Sequence, residues 1–239
     1  MLYDYEKERR EALQAGYRAL DSLKRAASDL ESARGWGVFD MLGGGLIATL
    51  AKRSKMDSAK ENMEQAQIDQ MLQAAVKLAN FTVFDQGQQF QEFSGMGTTL
   101  VAVLVTEREA TVVNIGDSRA YRINEGGIQR ITVDHSVVEM MVQRGELTRE
   151  EARNYPGKNF ITRAIGTETI AESDLFHLDL ERGDFLLLCS DGLTNIMDEQ
   201  EILFEVVHGD EKEKCCQQLL DIAKNRGAPD NVTCVLVQI

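Results

Sequence analysis

The stretch "DFLLLCSDGLT", residues 184 to 194, runs from apolar residues directly into a serine, an aspartate and a glycine. A short, uninterrupted apolar run bounded by turn signals reads as a buried strand, so residues 184 to 189 are expected to form one. The "SDG" after it has two readings. Asp-Gly is an ordinary turn dipeptide. Alternatively, the chain presents a carboxylate at a rigid sheet end, where a metal ion can be held.

The same juxtaposition recurs on either side. Asp117 lies in "NIGDSRAY" and Asp230 in "APDNVTCVLV", each at a predicted strand boundary beside small or turn-forming residues. Each aspartate taken alone is explained by a turn. Taken together, the three supply what Mg²⁺ or Mn²⁺ binds: carboxylate oxygens, with waters completing the shell.

Composition narrows the function classes. The chain has 239 residues, 43% of them hydrophobic, enough to bury a sizeable core. Acidic residues number 39 against 26 basic ones, a formal charge of -13. That balance argues against nucleic acid, which needs clustered Lys and Arg, and against an anionic membrane surface. The four cysteines form no CxxC pair, and Cys189 and Cys234 lie in apolar runs, so neither a disulfide framework nor a zinc site is expected. The opening "MLYDYEKERRE" is charged throughout and does not read as a signal peptide. The apolar stretch "MLGGGLIATLA" is about half the ~20 residues of a membrane span. A soluble, cytoplasmic protein is expected.

Periodicity divides the chain in two. Residues 4 to 34 read as one helix, with Leu13, Leu20, Leu23, Ala27 and Leu30 at three- and four-residue steps. Glycines in "RGWGVFDMLGGG" break it. A second helix is expected from about Asp57, as N-cap, to about Asn80, with Met63, Ala66, Leu72, Ala75 and Ala79 on one stripe. From residue 97 the period changes to strands at 98–105, 110–116, 119–123 and 127–132. A helical piece is expected at 134–155, strands at 175–180 and 184–189, helices at 198–207 and 211–226, and a last strand at 232–239. The fold class expected is α+β: sheets covered by helices, preceded by a helical hairpin at residues 1–70.

The motifs "GMGTT", "GDSRAY", "DHS", "TRAIG", "DFLLLCSDGLT" and "DNVTCVLV" succeed one another between residues 95 and 237. In that order they resemble the metal-dependent PPM family, the type-2C Ser/Thr protein phosphatases in their bacterial form, over about residues 71 to 239. The resemblance implies a PPM-type β-sandwich flanked by helices, with two to three Mn²⁺ or Mg²⁺ ions at one end. It implies that Asp191 and Asp230 hold one ion and that Asp117, with Asp191, serves a further site. Asn231, Gly192 and Ser190 support these ligands. Residues from about 134 to 160 match a mobile flap beside the site, whose start His135 fixes. A metal-activated water, and no side chain, is then the nucleophile toward phosphoserine or phosphothreonine. The implied partner is a phosphoprotein, drawn from the targets of a Ser/Thr kinase.

Residues 1 to 35 carry neither the family's opening strands, nor its substrate arginine, nor its acidic motif; Arg9 and Arg10 stand in a different context. In place of the "DGMGGH" loop, whose aspartate bridges two metals, stands "VFDMLGGG", with Asp40 but without the first glycine and the histidine. Fewer ions than in the family are therefore expected. Three readings stay open: a metal-dependent protein Ser/Thr phosphatase, a catalytically impaired phosphatase-like binding module, and a chimaeric or truncated phosphatase domain; helix-mediated self-association is a separate expectation.

Overall fold

In the computed structural model, residues 49–106, 109–209 and 212–239 are described. The chain divides between Ala79 and Asn80 into two compact units. The first expected helix, with Trp36, Arg9, Arg10 and Asp40, lies outside the described residues.

Helix α1 runs through Thr49–Gln89. It therefore neither starts at Asp57 nor stops at Asn80. No glycine or proline interrupts residues 46 to 86, and Asp57 without a breaker before it is simply a residue within the helix. The stripe also differs in detail: Leu72 and Val76 are buried, but Ala66 is exposed.

From residue 100 the chain builds two antiparallel sheets. Strands β1 (Leu100–Val105), β2 (Glu109–Ile115) and β5 (Asp174–Asp179) form one, ordered β1-β2-β5. Strands β3 (Arg119–Asn124), β4 (Gly127–Arg130), β6 (Phe185–Cys189) and β7 (Cys234–Gln238) form the other, ordered β4-β3-β6-β7. The apolar run "FLLLC" is thus a central strand, paired through Leu187 with Tyr121 on one side and Leu236 on the other. Side chains alternate across a pleated strand. Tyr121, Ile123, Phe185, Leu187 and Cys189 accordingly share one face and pack with Ile202, Val206, Leu219 and Ala223. Those partners come from α5 (Glu199–His208) and α6 (Cys215–Asn225). The opposite face buries Ala120 and Leu186, and β1 touches β6 across the two sheets. In β2 every residue from Ala110 to Ile115 is buried, as a strand covered on both faces requires. Sheet on sheet with helices outside is the α+β architecture the strand pattern predicts.

The single helix expected over 134–155 is instead two short ones, α2 (Val137–Gln143) and α3 (Arg149–Arg153). Gly145 takes φ +73, where a helix ends readily, and Thr148 with Glu151 forms a capping box that starts the next. Glu139 in α2 accepts from Arg130 Nη2 at 2.9 Å and from Arg149 Nη1 at 3.3 Å, joining both helices to β4. Burial opposes its charge, and the two guanidiniums outweigh burial, holding the carboxyl below its ordinary range.

Leu187 is fully buried at the centre of the sheet. Leu187→Ala should destabilise the protein by about 2–5 kcal/mol in chemical denaturation. A loss below about 1 kcal/mol would place the core elsewhere.

Candidate metal centre

Each of the three aspartates named by the sequence stands where a strand ends. Asp117 follows β2 and precedes β3, Asp191 opens the short helix α4 (Asp191–Thr194) straight after β6, and Asp230 lies in the turn before β7.

The Asp191 and Asp230 segments are joined by the residues between and beside them. Ser190 N donates to Thr233 O at 3.0 Å, Thr233 N donates to Ser190 Oγ at 3.1 Å, and Ser190 Oγ donates to Asn231 O at 3.2 Å. Gly192 completes the contact, because a Cβ there would collide with the carbonyl oxygen of Asn231 and stand 3.0 Å from its carbon. Only glycine admits that approach. Asn231 N also donates to Asp230 Oδ1 at 2.7 Å, which orients that carboxylate. Ser190, Gly192 and Asn231 therefore set the spacing of two acidic side chains.

Asp117 is braced from another direction. Gly116, just before it, has φ +102, and a Cβ at Gly116 would collide with the side chain of Thr99. Ser118, just after it, shares a 2.8 Å hydrogen bond with Thr99 through the two hydroxyls. The "GMGTT" segment thus packs directly against the turn of "GDSRAY".

Electrostatics tie the three together. Burial, then the charge of Asp191, pushes the Asp117 carboxyl from 3.8 up to about 6. Burial, then the charge of Asp230, raises Asp191. The cation nearest in sequence does not cure this. Arg119 is committed to Asp134 by Nε at 3.0 and 3.1 Å and by Nη2 at 2.6 Å, a pairing that uses its fork geometry. It lowers Asp117 by less than burial and Asp191 raise it.

The donors fit a hard divalent cation in kind: oxygen ligands on rigid mounts, with like charges in excess. Among the described residues, no three His, Cys, Asp or Glu side chains converge into a ligand set by themselves. The carboxylates are instead linked in pairs, Asp117 with Asp191 and Asp191 with Asp230. Sequence reasoning does not identify the Arg119–Asp134 pair or the contacts of His135 with Gly116 at 3.1 Å and with Asp174 at 3.1 Å. "GDSRAY" and "DHS" are the available signals, but which residue of one meets which of the other is a tertiary fact.

The raised carboxyl has a stability consequence with a definite sign. Folded Asp117 holds its proton more tightly than the unfolded chain does, so its penalty is absent below about pH 4 and grows as pH rises through about 6. Asp117→Asn should raise the melting temperature of the metal-free protein by about 2–4 °C at about pH 7.5 and leave it unchanged at about pH 4. An equal shift at both pH values would remove the electrostatic explanation.

Comparison with known proteins places the chain in a family. The family model described as Protein phosphatase 2C matches residues 42–231, reaching well upstream of residue 71. The serine/threonine phosphatase stp of Listeria monocytogenes is 33% identical over 202 residues, covering 82% of this chain and 79% of that protein. The serine/threonine phosphatase Stp1 from Staphylococcus aureus superposes with a TM-score of 0.71 at 40% identity, covering 73% of this chain and 69% of its own. The Mycobacterium tuberculosis serine/threonine phosphatase PstP/Ppp gives 0.69 at 31% identity over 94% of this chain and 83% of its own. With two antiparallel sheets, the ordered motifs and a match over most of its length, the chain belongs to the protein phosphatase 2C family.

Proposed function

We propose that this chain is a metal-dependent protein serine/threonine phosphatase, hydrolysing phosphoserine and phosphothreonine monoesters with water. The observation that carries the reading is the concentration of Asp117, Asp191 and Asp230 at braced strand ends, with Arg119, the cation nearest to Asp117 in sequence, tied to Asp134. Asp191 and Asp230 would hold one ion, and Asp117 with Asp191 a further one. A bound Mn²⁺ or Mg²⁺ supplies activation of water and neutralisation of phosphoryl charge. The chain's own part is positional. Ser190, Gly192 and Asn231 keep two carboxylates at a set spacing, and Asp134 keeps Arg119 from collapsing onto Asp117. Carboxylates alone repel a phosphate, so Asp117, Asp191 and Asp230 would accept a substrate phosphate only with their charge neutralised by a bound cation.

The substrate would be among the targets of a Ser/Thr kinase, the chain would act in the cytoplasm, and residues 1–70 would form a helical hairpin capable of self-association ahead of the domain at 71–239. Among the described residues, no helix is long and apolar enough to cross a membrane. A second reading, a phosphatase-like module that binds without turnover, is favoured by one fact: no three-ligand set forms among the described residues.

Hydrolysis of p-nitrophenyl phosphate and of a phosphothreonine peptide, with and without Mn²⁺, separates the two. Turnover should require Mn²⁺ and fall by about 10–100-fold or more in Asp191→Ala. Loss in Asp40→Ala would add that residue to the ligands. Wild-type turnover no greater than that of Asp191→Ala, with phosphopeptide still retained, would establish the binding module instead.

A further inference from the structure

His135 is buried, with a relative exposure of 6%, and both of its ring nitrogens are occupied. Gly116 N donates to His135 Nδ1 at 3.1 Å. In return, His135 N donates to Gly116 O at 2.9 Å. The backbone of Gly116 is therefore held from both sides by one residue, and the carboxylate one peptide further on belongs to Asp117. On the other edge of the ring, Nε2 stands 3.1 Å from Asp174 Oδ2 and 3.3 Å from Arg163 Nη1. Arg163 Nη1 also donates to Asp174 Oδ1 at 2.9 Å.

These partners determine where the ring proton sits. A backbone N–H can only donate, so Nδ1 must be the lone-pair nitrogen, and the proton lies on Nε2, directed at Asp174. Arg163 is a donor facing that donor, so its attachment is to Asp174 and not to the ring. An imidazolium would set one N–H against another at Gly116. The arrangement accommodates only the neutral Nε2–H ring, with Asp174 and Arg163 selecting it from behind.

We propose that His135 is a positioning residue for Asp117: its neutral imidazole, oriented by Asp174, holds Gly116 and thereby aims the Asp117 carboxylate at the cation site. This rests on the reading that Asp117 is a metal ligand. The logic parallels that of metal-binding histidines whose far nitrogen is set by a carboxylate, with the pinned group here a backbone amide instead of an ion. It also distinguishes His135 from a proton donor in catalysis, since its one lone pair and its one proton are both engaged.

The test compares two amides that replace the same ring. In His135→Asn the amide oxygen lies where Nδ1 lies and can still accept from Gly116. In His135→Gln the amide lies out near Nε2, meets Asp174 and leaves Gly116 N without its side-chain acceptor, while the backbone bond to Gly116 O remains. Mn²⁺ affinity is read directly from the free-ion electron paramagnetic resonance signal. His135→Gln should bind Mn²⁺ about tenfold more weakly and His135→Asn within about twofold of wild type. In ¹⁵N-labelled wild type, a coupling across the hydrogen bond between Gly116 N and His135 Nδ1 should be visible, together with the shifts of an Nε2–H tautomer. Equal weakening in both variants, no weakening in either, or a proton found on Nδ1 overturns the assignment. Wild type that binds Mn²⁺ in this pattern but does not turn over phosphopeptide contradicts the phosphatase reading and leaves the role of His135 standing. Wild type that binds no Mn²⁺ overturns both.

Discussion

Mutual repulsion among three carboxylates is the constraint around which the sheet ends are organised. Asp117 is raised by burial and by Asp191, and Asp191 by burial and by Asp230. Left to themselves such groups separate or take up protons. Here they are kept near one another by backbone hydrogen bonds and by glycines that let segments approach, and the guanidinium of Arg119 is tied to Asp134. Stability is thus given up locally where like charges are gathered, a trade common at functional centres.

The bracing comes from segments far apart in the chain. Thr99 supports the turn of Gly116 and Ser118, His135 grips Gly116 from the start of the α2 segment, and Asp174 at the head of β5 orients His135. Asn80, in the second half of α1, accepts from Gly166 N at 2.8 Å and donates to Glu168 O at 3.0 Å, holding the loop that also carries Arg163. The aspartates are therefore positioned by the assembled domain and not by their local turns. At "CSDGLT" the chain passes from β6 straight into α4, and the close approach to Asn231 that Gly192 allows brings the Asp191 segment against that of Asp230.

Much of the fold is legible in the sequence because its signals are local. The apolar run Phe185–Cys189 reads as a buried strand and is one, and the β-branched runs around residues 100 and 112 are strands too, the second buried along its length and the first half-buried. The start of α1 is not legible, because Asp57 is a good capping residue, yet nothing before it stops a helix. Nor is the break at Gly145, because one glycine in a polar stretch does not reveal its φ. At the site, aspartates beside strands can be picked out singly. Their pairwise coupling, the commitment of Arg119 and the grip of His135 cannot, since each depends on which strand end lies next to which.

If Asp117, Asp191 and Asp230 are held together for a divalent cation, a ¹³C NMR titration of the aspartate carboxyls with and without Mg²⁺ will show it. Without the ion, Asp117 should titrate near 6, well above an ordinary aspartate, and on adding Mg²⁺ its midpoint should fall below 3.8. An ordinary midpoint for Asp117, unmoved by Mg²⁺, would contradict the account.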